Sequence, residues 1–412
     1  MGTKQYTMDE VRNHNTKDDC WLVISRKVYD VTNWIPRHPG GRQIIINLAG
    51  RDVTDLFLQN HPDYVTKYLP TYFIGDLVNY KESAALLEFR KFAMEVEKDG
   101  YFKTSYLYYT LKFLCVLAIL SVSVVCYVIG YQKNWGWLQI VGSVVLAAFL
   151  QQVAFLGYNV RPRCWPSAFW NFNGLVERLA QCASCTVDST LFKSLYSFYH
   201  HKVMSFDGFA RLMVSYQHIL FYPLMAFARF FLYIQSMILI LFKDCEYRKS
   251  EFFTTVGFWT WFLTLHSYCV SYPVLIACLV LSHACAGILH VQIVLSHFAM
   301  DMYETDWEDD FLDMQLKTSL DVDCPWYMDW FHGGLQFQTV HHLFPRVPRH
   351  KLGALQLKTR EWCAKNNKPY YLATFFEANK QVVQRLKAVA QKAKFNGEVD
   401  TSMIWDALAA QG

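Results

Sequence analysis

The distribution of apolar and charged residues divides the chain into a polar N-terminal part, a charged connecting segment and a long apolar part. Residues 1–77 contain short apolar runs, such as 21–24 and 27–31, that are typical of strands. Residues 78–106 are rich in Lys and Glu and predict a solvated amphipathic linker helix. Apolar segments begin at residue 113, so a membrane-embedded region is predicted to follow the linker.

The apolar part contains uncharged stretches long enough to cross a bilayer, and they predict an all-α region with about four transmembrane helices. Residues 113–131 and 135–159 are uncharged and are separated by a short turn, which predicts an antiparallel hairpin. Residues 252–300 contain no Asp, Glu, Lys or Arg and predict two further spans. Residues 212–242 are interrupted by Arg229, and we interpret them as interfacial or re-entrant, with a further pair of spans as the alternative.

The composition agrees with an integral membrane protein. The 412 residues are 53% hydrophobic and 18% charged, below the roughly 25% of charged residues that is usual in soluble domains. The net charge of +4 is too small to suggest nucleic acid as a partner. The 12 cysteines are scattered, which favours reduced thiols over disulfides. Lys and Arg flank one side of the predicted spans, so both termini are predicted to be cytosolic.

Two histidines in the polar part, His38 and His61, each follow a helix-and-turn pattern. Such a pair can face each other across a flat cofactor and fill both axial positions of a haem iron. No position is then left for O₂, which suits electron transfer. The alternative is two unrelated surface histidines. The apolar residues expected to line the pocket are Leu22, Val31, Leu48 and Phe57.

The residues around this pair carry a specific motif: His-Pro-Gly-Gly at 38–41, then G-x-D-x-T-x-x-F-x-x-x-H at 50–61. This motif resembles the signature of cytochrome b5 domains. The resemblance implies a small α+β domain in which His38 and His61 bind haem b. It also implies a flavoprotein, such as cytochrome b5 reductase, as the electron donor. The acidic residues that could meet a basic reductase, or simply be solvated, are Asp52, Asp55 and Asp63.

A second histidine motif lies far from the first, where Gln338, His341 and His342 form Q-x-x-H-H. On a helix, Gln338 and His341 lie about one turn apart and can point at one metal ion. Imidazoles suit iron, zinc or copper. The alternative for the two adjacent histidines is a solvated or otherwise satisfied pair without a ligand role.

Three further histidines recur every seven residues in the last predicted span, at His283, His290 and His297. This spacing places them on one helix face, about 10 Å apart, so they cannot all bind one metal centre. A hydrogen-bonding stripe between helices is the better interpretation for His283 and His290. His297 lies at the predicted cytosolic end and remains a candidate ligand.

The residues around Gln338 resemble the third histidine box of front-end acyl-lipid desaturases, in which Gln replaces the first His. The likeness extends through Trp330-Phe331, Gly333-Gly334 and 343–350. It implies a fused cytochrome b5-like domain and an all-α membrane domain with a non-haem di-iron centre, held in part by His297. The implied activity is the introduction of a cis double bond into a fatty acyl or sphingolipid chain, with O₂, in the endoplasmic reticulum.

The first two histidine boxes of that family are missing. The first should begin just after residue 157, but 158–165 contain no histidine. His200 and His201 stand in a setting that resembles the family segment downstream of the second box, so we do not assign them to that box. The remaining ligand candidates, His297, Gln338, His341 and His342, leave a di-iron site incomplete. The chain as written is therefore expected to show little or no desaturation.

We predict four segments: a haem domain at 1–77, a linker helix at 78–106, a desaturase-like membrane domain at 107–375 and a cytosolic tail at 376–412. Within the membrane domain, residues 158–190 are atypical. A retained intron or a mispredicted exon beginning near Val160 would explain them. One alternative function is then an inactive homologue or truncated gene model that acts as a membrane-anchored electron carrier. A lipid hydroxylase is a third hypothesis, against which the Gln at 338 argues.

Overall fold

The fold is taken from a computed structural model that describes residues 3–38, 41–159, 208–242, 248–300 and 310–393. The atypical stretch from 160 onwards, His200, His201 and the end of the C-terminal tail lie outside these ranges. The architecture is an N-terminal α+β domain followed by a helical membrane domain, as the sequence predicted.

The N-terminal domain is built on a small mixed sheet. Its strands are β1 (Gln5–Tyr6), β2 (Asn15–Thr16), β3 (Asp19–Ile24), β4 (Lys27–Asp30), β5 (Arg51–Asp52) and β6 (Phe73–Leu77). The sheet order is β1-β6-β4-β3-β2, and β5 pairs with β3. The β3–β4 hairpin turns through Ser25 and Arg26, both with positive φ, as a two-residue turn matched to strand twist requires. Alternate β3 residues face two apolar clusters on opposite sides of the sheet.

Short helices cover both faces of this sheet. They are α1 (Met8–Asn13), α2 (Arg42–Leu48) and α3 (Thr54–Asn60), with 3₁₀ segments at Thr32–Arg37 and Asp63–Tyr72. Helix α1 lies on one face, and α2 and α3 lie on the other. α1 begins with a capping box, in which Thr7 and Glu10 bond each other's backbone N–H groups. The cluster under α2 and α3 contains the four residues predicted to line a haem pocket: Leu22 and Val31 are buried, and Leu48 and Phe57 pack against them.

The predicted linker forms helix α4 (Ala84–Lys98), but the expectation that it is solvated is wrong for its apolar face. Leu86, Phe89 and Val96 are buried in a cluster with residues 312–363 of the membrane domain. The helix is amphipathic, as predicted. Burying its apolar face against residues more than 200 positions later in the chain lowers the free energy of the folded state. α4 therefore belongs to the core of the second domain.

Four helices of the described chain are long and apolar enough to cross a membrane. They comprise α5 (Tyr106–Lys133), α6 (Gly136–Asn159), α7 (Gly208–Phe242) and the pair α9 (Tyr272–Ala286) and α10 (Ile288–Phe298), which run on from each other. The predicted number is confirmed, and so is the α5–α6 hairpin, which turns at Asn134 in the left-handed conformation.

The identity of the spans differs from the prediction in two places. The segment interpreted as interfacial or re-entrant is the long helix α7, one of the four candidate spans. Its Arg229 is buried and donates to the Tyr233 hydroxyl one turn later, so the interrupting charge is accommodated inside the protein. Helix α8 (Arg248–His266), predicted as a span, begins with charged residues and is not among the four.

The chain after α10 forms the part that carries the Q-x-x-H-H motif. Its elements are α11 (Phe311–Thr318), β7 (Asp321–Asp323), α12 (Asp329–His332), α13 (Gln338–Leu343), α14 (Leu352–Lys365), β8 (Leu372–Thr374) and α15 (Phe375–Ala393). β7 and β8 pair in parallel. Amides of the membrane helices hold α12, because Gln151 and Gln292 donate to the Phe331 carbonyl and Gln152 to that of Trp330.

Candidate functional site

The first candidate site is formed by His38 and His61, which the fold brings together. Their ring centroids lie 6.1 Å apart. Two imidazoles bound to opposite sides of one metal ion, each at about 2 Å, place their centroids roughly 6 Å apart. The spacing of this pair therefore fits a haem iron with two axial histidines.

Local backbone contacts orient both rings. His38 follows a 3₁₀ segment, and its Nδ1 hydrogen-bonds the Gly41 carbonyl at 2.9 Å. His61 ends α3, and its Nδ1 hydrogen-bonds the Phe57 carbonyl at 3.1 Å. A carbonyl on Nδ1 fixes the tautomer and makes Nε2 the coordinating nitrogen, as in most metal-binding histidines. The donor set and the apolar pocket thus fit the haem that the motif implies.

The three acidic residues near this pocket have different surroundings. Asp63 is exposed, and Asp52 accepts hydrogen bonds from the Thr54 backbone and hydroxyl. Asp55 is buried and is bound by Arg90 of α4, so it is not part of an exposed acidic surface. Burial raises the pKa of the Asp55 carboxyl, and the hydrogen bonds from Arg90 oppose that shift.

The second candidate site is a cluster that we call the amide–imidazole cluster: Gln338, His342 and His297. The Gln338 side-chain nitrogen lies 3.0 Å from Nε2 of His342 and 3.2 Å from Nε2 of His297. Ligand atoms bonded at about 2.1 Å to one ion stand roughly 3 Å apart, so this spacing resembles that of a coordination shell. Rotating the amide by half a turn exchanges its nitrogen for the oxygen, which can ligate a cation.

The two imidazoles of this cluster are also held by hydrogen bonds to residues of α11. Nδ1 of His342 lies 2.8 Å from the Gln315 side-chain oxygen, and His297 bonds the Thr318 backbone. Both partners belong to α11, so this helix sets the orientation of both rings. Burial, with smaller contributions from His297 and His341, lowers the pKa of His342 well below its usual range. The neutral imidazole, which is the form that binds metals, is thereby favoured.

The other predicted ligand, His341, stands at the edge of the cluster. Its ring centroid lies 6.2 Å from that of His342, with the two rings perpendicular. Gln338 was predicted to pair with His341 on one helix face, but the amide bonds His342, one full turn along α13. In α9, Nε2 of His283 lies 3.4 Å from the Tyr233 hydroxyl of α7. This contact agrees with the predicted hydrogen bonding between helices.

One residue that holds the cluster was missed by the sequence analysis. Asp321 is fully buried, and its carboxylate accepts from the Thr339 N–H at 2.7 Å, from Gln356 at 2.8 Å and from the Tyr370 hydroxyl. Thr339 lies in the first turn of α13, so the carboxylate caps the helix that carries the motif. Burial raises the pKa of Asp321, and the three donors oppose the shift. Its partners lie 18 to 49 residues away, which is too far for a capping pattern to show in sequence.

The ligand set found here is smaller than a two-iron centre requires. Within the described ranges, no three or more His, Cys, Asp or Glu side chains are grouped to hold a metal ion. The amide–imidazole cluster contributes two imidazoles and one amide, and His341 lies beside it. These residues fit part of the shell of one ion and do not fit a di-iron group.

Taken together, the fold and the two sites define a class: a membrane oxidoreductase with a fused haem domain. Two family models match the chain, the "Cytochrome b5-like Heme/Steroid binding domain" at residues 7–78 and "Fatty acid desaturase" at residues 186–374.

Curated relatives identify the family more closely. A Delta(8)-fatty-acid desaturase of Helianthus annuus is 34% identical over 450 residues, covering 100% of this chain and 97% of the relative. An acyl-lipid (9-3)-desaturase of Borago officinalis is 32% identical, covering 99% of both chains. A Delta 8-(E)-sphingolipid desaturase of Emericella nidulans is 40% identical over 50% of this chain and 40% of its own length. The chain belongs to the family of cytochrome b5-fused lipid desaturases.

The same matches bear on the atypical stretch. The desaturase model begins at residue 186, so residues 158–185 lie outside it. The 450 aligned positions exceed the 412 residues of this chain, so the alignment contains gaps in it.

Proposed function

We propose that this chain acts in lipid desaturation, introducing a cis double bond into a fatty acyl or sphingoid chain with O₂ and electrons from its own haem. The observation that carries the proposal is the pairing of His38 with His61 at 6.1 Å, in the same polypeptide as the amide–imidazole cluster. The proposed electron carrier and the proposed non-haem iron ligands then belong to one molecule, and no separate cytochrome is needed.

In this proposal His38 and His61 would hold haem b. A haem held by two histidines would supply electron transfer and not O₂ binding. A flavoprotein such as cytochrome b5 reductase, oxidising NADH or NADPH, is the proposed electron donor. Asp63, which is exposed, remains available to such a partner, whereas Asp55 is not.

His297, Gln338, His341 and His342 are the proposed non-haem iron ligands on this chain. Breaking an unactivated C–H bond requires a metal oxidant, because side chains alone cannot supply one. Since the described residues do not complete a two-iron centre, we derive no chemical step from it. What these residues do on their own is present neutral imidazoles and an amide in one place, held by α11 and by Asp321.

The proposed substrate class follows from the relatives, whose names specify Delta(8)-fatty-acid, acyl-lipid (9-3) and sphingolipid desaturases. The proposed location is the endoplasmic reticulum, with both termini cytosolic. The Lys and Arg residues that flank one side of the predicted spans support this orientation.

Expression in a yeast that lacks the product tests the proposal, with fatty acids and sphingoid bases analysed together. A new unsaturated species that depends on His342 is the expected result. Its absence from well-expressed protein with a normal cytochrome b5 spectrum contradicts the enzymatic function. The same outcome leaves the membrane-anchored electron carrier, which the relatives do not favour, as the function. Non-haem iron measured per haem distinguishes a completed metal centre from a partial one.

A further inference from the structure

Arg90 of α4 bonds the haem domain on one side and the segment that connects the two domains on the other. Its Nε and one terminal nitrogen donate to the two Asp55 oxygens at 2.7 and 2.8 Å, and its other terminal nitrogen donates to Glu82 at 2.6 Å. We propose that Arg90 is a positioning residue that docks the haem domain on α4, beside the helix that carries the amide–imidazole cluster.

The burial of these three side chains separates this contact from ordinary surface ion pairs. The side chains of Asp55, Glu82 and Arg90 are 5%, 12% and 24% exposed. The neighbouring pair Lys91–Glu88 on the same helix is 64% and 51% exposed. An exposed pair contributes little, whereas removing one partner of a buried, two-pronged pair leaves an uncompensated charge inside the protein.

The position of Asp55 makes the contact relevant to the haem. Asp55 lies in the first turn of α3, the helix that ends at His61. A guanidinium that holds both oxygens of this carboxylate fixes the direction of α3 as well as its distance from α4. The haem ligand is therefore held through its own helix.

On its other face, α4 is fixed to the membrane domain. Phe89 packs on Phe344 with ring centroids 5.6 Å apart, and Phe344 directly follows α13. Ser83, at the start of α4, donates to Asp310 at 2.5 Å, and Lys351 donates to the Gly100 carbonyl beyond its end at 2.6 Å. Helix α4 is thus held at both ends and along one side, so docking on it sets the haem domain relative to the cluster.

A protease test reads the docking directly in the full-length holo protein. Lys81 is exposed and lies between the haem domain and α4, so trypsin cleavage there releases the haem domain. The Tyr80 carbonyl accepts from Arg26 and Glu82 is bound by Arg90, so both neighbours of Lys81 are held. Because loss of the buried contact frees this segment, we expect Arg90→Gln and Asp55→Asn to speed release at Lys81 about ten-fold or more.

Two variants control this measurement. Lys91→Gln removes the adjacent exposed pair and is expected to leave the release rate unchanged. Arg90→Lys keeps the charge but cannot hold both carboxylate oxygens, and it is expected to give an intermediate rate. Equal release rates in Arg90→Gln, Lys91→Gln and the unmodified protein overturn the docking.

A second measurement separates positioning from a purely structural effect, and it rests on the proposed function. Haem content and haem reduction by the reductase are expected to be unchanged in Arg90→Gln, while formation of unsaturated lipid falls about ten-fold because the haem is no longer held near the cluster. Faster release at Lys81 with undiminished product overturns the positioning role. If the unmodified chain forms no product, the proposed function fails, and the protease measurement still decides the docking.

Discussion

The haem site and the amide–imidazole cluster are both built from histidines, but they differ in how local their construction is. His38 and His61 belong to one small domain, and their Nδ1 atoms bond carbonyls three and four residues away. In the cluster, Gln338 meets His297 across 41 residues, and Gln315 holds His342 across 27. The first site is therefore expected to survive changes elsewhere in the chain, and the second is not.

The largest expected effect is at the haem. His61→Ala removes one of two axial ligands and is expected to abolish the reduced-minus-oxidised cytochrome b5 spectrum, while the chain still inserts into the membrane. His14→Ala is the matched control, because His14 lies in the same domain, stacked on Trp21 and away from the pair. An unchanged spectrum in His61→Ala refutes the axial assignment.

The second prediction concerns the cluster. His342→Ala removes the imidazole bonded to both Gln338 and Gln315, so non-haem metal bound per haem is expected to fall by most of its value. Haem absorbance is expected to stay the same, because the haem site and the cluster are built from different residues. His350→Ala is the control, since His350 packs against Tyr108 outside the cluster. Elemental analysis of purified protein decides it, and equal metal content in both variants argues against a metal site here.

The third prediction tests the distant support of the cluster. Asp321→Ala leaves the Thr339 N–H, Gln356 and the Tyr370 hydroxyl without their buried acceptor. We expect a loss of about 2–4 kcal/mol in the free energy of unfolding of the membrane domain, measured by thermal or denaturant unfolding. Asp321→Asn keeps one acceptor oxygen and is expected to lose less. A full loss in the Asn variant shows that charge, and not the acceptor atoms, is what matters.

The smallest expected effect is on a local cap in the haem domain. Thr7→Ala removes the hydroxyl that accepts from the Glu10 N–H at the start of α1. The expected cost is about 1 kcal/mol in the stability of the haem domain, read from loss of haem absorbance on heating. Metal binding at the cluster stays unchanged. A loss larger than that of Asp321→Ala contradicts the distinction between local and distant construction.

Much of the haem domain could be read from the sequence because its informative residues are close together. The motif at 38–41 and 50–61 places both histidines, and the capping box at Thr7 is a four-residue pattern. The α5–α6 hairpin was predicted for the same reason, since a short turn leaves only an antiparallel return. By contrast, helix α7 was misread because the sequence shows the charge of Arg229 but not that the surrounding helices bury its side chain.

By itself, the sequence determined the two histidine motifs, the number of apolar helices and the family to which they point. Only the tertiary structure decided that His297 meets Gln338, that Asp321 caps α13, and that Arg90 ties α4 to the haem domain. The physical reason is that contacts within a few residues follow from backbone periodicity. Contacts across tens or hundreds of residues form only when apolar faces such as that of α4 are buried against each other.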